Sequence, residues 1–153
     1  MGDYGVTFVD EFRKAINEIW VSEPSLVHYK ADLGSSVTVK FPKADSHGFD
    51  VVVSVEGNCL SIQTDLGWHT DEFDITMEEL NAMLGLVRDM LSSAMRIREF
   101  RAGGLPHRWN LEFFDGKEWI LEETVGLWLW NFLGKRSERV FQNSVLPARA
   151  VDN

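Results

Sequence analysis

The sequence predicts an α+β domain: an antiparallel sheet of about six strands with two helices packed on one face. Three observations predict it. Apolar residues recur at helical spacing in two separated stretches, near residues 7–21 and 76–95. Segments of period-2 alternation follow each of them. Short turns rich in Gly, Asn and Asp fold those segments back on themselves, which makes the pairing antiparallel. The order of elements also admits a helix-plus-strands unit repeated twice, with Val55-Glu56-Gly57-Asn58 standing where Phe114-Asp115-Gly116-Lys117 stands later.

Helix 1 is expected to begin at an N-cap, Thr7, and to bury Phe8, Phe12, Ile16 and Ile19 before Pro24 breaks the chain. Three strands follow, over Val37–Phe41, Phe49–Val55 and Cys59–Thr64, the last two joined at Gly57-Asn58. Asp65–Asp74 has no period and reads as a loop. Thr76 opens helix 2 with a capping box closed by Glu79. Arg96–Arg101 alternates basic and apolar residues and reads as an edge strand, or as an extension of helix 2. The Asp115-Gly116 pair marks a hairpin between Trp109–Phe114 and Trp119–Leu121. Residues 124–133 read as strand or short helix, and Glu138–Gln142 as the last strand.

A chain of 153 residues is expected to form a single domain over 1–153, with 147–153 as a flexible tail. Cys59 is the lone cysteine, which excludes an internal disulfide and a cysteine-rich zinc site. The acidic start does not resemble a secretion signal, and no run of about twenty apolar residues occurs, so a cytoplasmic location without membrane association is expected. The net charge of −9 disfavours nucleic acid as a partner. That charge is uneven: residues 1–95 hold sixteen acidic and six basic side chains, residues 96–153 eight and nine.

No nucleophile elbow, phosphate loop or dinucleotide fingerprint is present, and no catalytic residue or cofactor is assigned. His69, Asp71, Glu72 and Asp74 are metal-ligand types without metal-site spacing, and a solvated acidic loop is the preferred reading. The adjacent pair Glu122-Glu123 is read as pointing to opposite faces of its strand.

Two sets of residues are candidates for binding a ligand or partner. Arg96, Arg98, Arg101 and Arg108 surround a glycine-rich loop, and guanidinium groups take carboxylates or phosphates bidentately. Trp109, Trp119, Trp128 and Trp130 concentrate aromatic surface in one stretch, as in sheet cores and binding hot spots. Together with the acidity, these features favour a non-enzymatic cytosolic protein-binding module, such as an inhibitor or immunity-type protein engaging a basic partner. The alternative is a small-ligand protein or enzyme with a tryptophan-lined pocket between sheet and helices. A homodimer through a sheet face is the second alternative.

Overall fold

The computed structural model describes residues 4–126 and 134–149. The fold is α+β, with two helices and nine strands among the described residues. The strands form two antiparallel sheets rather than one sheet of six. The first half is α1 (Tyr4–Ser22), then β1 (Tyr29–Asp32), β2 (Ser36–Phe41), β3 (Val51–Glu56), β4 (Cys59–Thr64) and β5 (His69–Glu72) in a sheet of that spatial order. The second half is α2 (Met77–Met90), then β6 (Met95–Ala102), β7 (Leu105–Phe114), β8 (Trp119–Gly126) and β9 (Arg136–Phe141), ordered β8-β7-β6-β9. Each half is thus a helix followed by strands: a meander in the first, and in the second a three-strand meander whose last strand, β9, crosses back to pair with β6.

The two strands missing from the sequence reading are the edges of the first sheet, β1 and β5. Each is four residues long and mostly polar, and nearly every side chain is exposed. No buried face imposes alternation on them; they form because β2 and β4 offer unpaired backbone groups along a flank. The His69–Glu72 stretch is therefore strand, not loop. α1 begins ahead of Thr7, which lies inside the helix instead of capping it. β6 is an interior strand between β7 and β9, neither an edge nor part of α2. Arg96 and Arg98 fit there because a carboxylate from β7 receives them.

The clearest local signals hold at residue level. Glu79 donates its backbone N–H to the Thr76 hydroxyl at 3.2 Å, and its carboxylate accepts from the Thr76 N–H at 2.6 Å. The box closes reciprocally because those two donors would otherwise be orphaned at the helix start. At the β7–β8 hairpin, the Asp115 carboxylate accepts from the N–H groups of Lys117 and Glu118, and Gly116 takes φ 99°.

One apolar cluster joins both halves. Phe12 and Ile16 of α1, Val37 and Val39 of β2, Val51, Val53 and Val55 of β3, Leu80 and Val87 of α2, and Ile97 and Leu111 of the second sheet are all buried in it. Trp68 is wholly buried at the junction. Gly67, at φ 114°, lies so close to Trp109 that a Cβ there would stand 2.8 Å from the ring. Asn143 also ties the halves: its side chain donates to the carbonyls of Phe49 and Met90 and accepts from the Phe49 N–H. Arg149 binds Asp89 of α2 through two nitrogens, at 2.9 and 2.6 Å, which fastens the chain as far as that residue. Among the described residues, no helix is long and apolar enough to cross a membrane.

Candidate functional site

The two faces of the second sheet differ in chemistry. Met95, Ile97 and Glu99 of β6 and Trp109 and Leu111 of β7 are buried on the core side. Arg96, Arg98, Phe100, Arg108 and Asn110 alternate with them and point the other way. On that outer face Glu112 sits between two arginines, accepting from Arg96 Nε at 2.6 Å and from Arg98 Nε at 3.0 Å. Arg98 also donates to Glu138 of β9 at 3.1 Å. Hydrogen bonding to Glu112 holds the Arg98 guanidinium above its ordinary pKa. Arg96 lies over the Trp119 ring, 4.1 Å from its centroid, and Arg108 lies over Phe100 at 3.9 Å.

Arg96, Arg98, Arg108 and Trp119 are therefore brought onto one face, while Trp109 and Arg101 are placed elsewhere. The Trp109 indole N–H donates to buried Glu99 at 3.2 Å, and Arg101 binds that same carboxylate and the Gly104 carbonyl. Trp128 and Trp130 lie outside the described residues. Arg96, Arg98 and Arg101 each engage a carboxylate of the chain itself, which neutralises most of the charge an anion would seek. Trp109 and Trp119 lie on opposite faces of the second sheet: one faces the core and the other, beneath Arg96, faces away from it.

Acidic side chains converge beside β8. β8 carries a bulge: Leu111 pairs with Glu123 and Glu112 with Leu121, so Glu122 has no partner on β7. The extra residue breaks alternation and turns Glu122 toward the same side as Glu123, correcting the expectation that the pair diverges. Beneath them lies an open groove of about 500 Å³ between α2 and the β7–β8 hairpin. Leu86, Met95 and Phe113 form its apolar floor, with Asp115 and Glu122 on the rim and the Asp89–Arg149 pair at the far wall.

Glu123 marks the electrostatic character of this side. Its pKa is raised, first by burial, then by the like charges of Glu72 on β5 and of Glu122, with His69 opposing weakly. No salt bridge to Glu72, Glu122 or Glu123 is formed among the described residues. The other residues of the His69–Asp74 stretch disperse. His69 and Asp71 alternate with Thr70 and Glu72 along β5, and Asp74 accepts from the Asn58 amide at 2.9 Å. Among the described residues no three His, Cys, Asp or Glu side chains are grouped to hold a metal ion.

Glu72, Asp115, Glu122 and Glu123 were not among the binding candidates. The groove depends on a bulge and on the packing of α2 beside the β7–β8 hairpin, neither of which has a sequence motif. The usable signal was Trp119-Ile120-Leu121-Glu122-Glu123, an exposed-looking strand with two acids where a third apolar residue would continue the pattern. No protein-family model, curated protein or solved structure matches the chain.

Proposed function

We propose that the protein is a non-enzymatic binding module, cytosolic in location, that engages a basic partner protein through the acidic side of its second sheet. The observation that carries this reading is the groove with an apolar floor and an unneutralised carboxylate rim. Asp115 and Glu122 stand over Leu86, Met95 and Phe113, and Glu72 and Glu123 crowd beside them. Lysine and arginine side chains match such a surface, because their methylene stems cover apolar groups while their heads meet carboxylates. Bringing cations there also relieves repulsion already present in the folded protein. A free, half-buried Cys59 accords with a reducing compartment.

The test uses an eight-residue peptide of alternating lysine and valine, titrated calorimetrically at increasing salt. The expected result is saturable binding that weakens as salt rises, and that falls about tenfold in the Asp115→Asn/Glu122→Gln variant, since hydrogen bonds to charged groups contribute about 1.5–3 kcal/mol. Binding unaffected by those substitutions would place the interaction elsewhere and refute the assignment.

A further inference from the structure

The edge of β8 supplies what the groove alone does not, a backbone template. β8 is eight residues long and lies at the end of its sheet, with β7 on one flank and no strand on the other among the described residues. Its side chains are half-buried or exposed throughout; Ile120 is 37% and Leu121 54% exposed. Edge strands of this length are commonly blunted by lysine, proline or a covering element. Here the devices are the bulge at Glu122 and two adjacent carboxylates.

Those carboxylates select the occupant. An antiparallel pairing of β8 with β8 of a second copy would set Glu122 and Glu123 against the same pair, four like charges at the centre of the contact. A basic strand meets the opposite condition. Its cations on the core side would face Glu122, Glu123 and Glu72, and its apolar residues on the other side would lie along Leu121 and Trp119. The other end of the sheet is unsuited to such a strand, since β9 carries Arg136 and Arg139.

We propose that an extended basic segment of a partner protein adds to β8 as a fifth strand of the second sheet. This rests on the basic-partner reading and specifies how the partner binds: main-chain hydrogen bonds give affinity, and alternate side chains give selectivity.

The experiment compares the lysine–valine peptide with the same peptide N-methylated at every residue, which keeps charge and side chains but removes every backbone donor. Light scattering of the protein alone and amide exchange of Trp119–Gly126 complete it. The expected result is a monomer that binds the unmodified peptide at least about tenfold more tightly than the methylated one, with β8 amides slowed in exchange. Glu122→Gln/Glu123→Gln lowers that affinity about tenfold, whereas the distant pair Glu56→Gln/Glu78→Gln leaves it within about twofold. Equal binding of both peptides would overturn strand addition and leave the basic-partner reading standing. Binding of neither would overturn both. A dimer formed without peptide and unable to take it up would assign the edge to a second copy, its β9 against β8, and overturn the proposal.

Discussion

Glu112 and Glu123 are two glutamates of neighbouring strands with opposite fates. Glu112 is nearly buried and receives two guanidinium groups, so it works as an internal tie between β6 and β7. Replacing it with alanine strands Arg96 and Arg98 without their acceptor. Glu112→Ala is expected to lower the unfolding free energy in urea by about 1.5–3 kcal/mol, the range for a hydrogen bond to a charged group. Loss of that tie also frees Arg96 from Trp119 and changes the Trp119 emission. Among the described residues Glu123 receives no such partner. Because burial, Glu72 and Glu122 raise its pKa, with His69 on the same strand as Glu72 opposing, the native state holds its proton more tightly than the unfolded chain does. Its contribution to stability is therefore present below the ordinary glutamate pKa and is lost as pH rises through the raised value. Glu123→Gln is expected to remove that decline, making the variant more stable than the parent once pH has risen through the raised value, as read in urea titrations repeated across pH. An unchanged pH profile would contradict the like-charge account. Asp50 and Asp115 act in the reverse sense: backbone N–H donors to both, and Lys40 to Asp50, lower their pKa values. The stability they add is present at neutral pH and lost as pH falls through those lowered values.

At the scale of elements, legibility followed the source of order. α2, with Thr76 and Glu79 in plain view, and the valine-rich strands β2 and β3 are set by local chemistry and read directly. β1 and β5 are set by a neighbour's edge and carry no pattern of their own. β6 was misplaced as an edge because charge alternation normally marks one; the compensating Glu112 lies on another strand, beyond any local window. The packing of the β4–β5 loop on β7 was equally hidden. Gly67 is required twice, by its positive φ and by the Trp109 ring above it. Gly67→Ala is expected to cost about 1–3 kcal/mol from backbone strain with added crowding. Trp109→Leu in that background relieves the crowding, so a double-mutant cycle in urea should show coupling; strictly additive losses would deny the contact.

For the whole molecule, the α+β class and the alternation of helix and strands were legible in the periods, whereas the division of the strands into two sheets and the apolar cluster spanning both halves were not. The candidate site divides the same way. The arginines and tryptophans named from sequence scatter between outer face, core and residues outside the description, because residue type alone does not tell a spent charge from an available one. What gathers on one side is acid: Glu72 from the first sheet, Asp115, Glu122 and Glu123 from the second. The account stands most directly on mapping that side by amide chemical shifts of the labelled protein during titration with the lysine–valine peptide. It predicts saturable shifts over Glu72, Asp115 and Trp119–Val125, with α1 and β1 unmoved. Shifts centred on α1 or β9, with β8 silent, would contradict it.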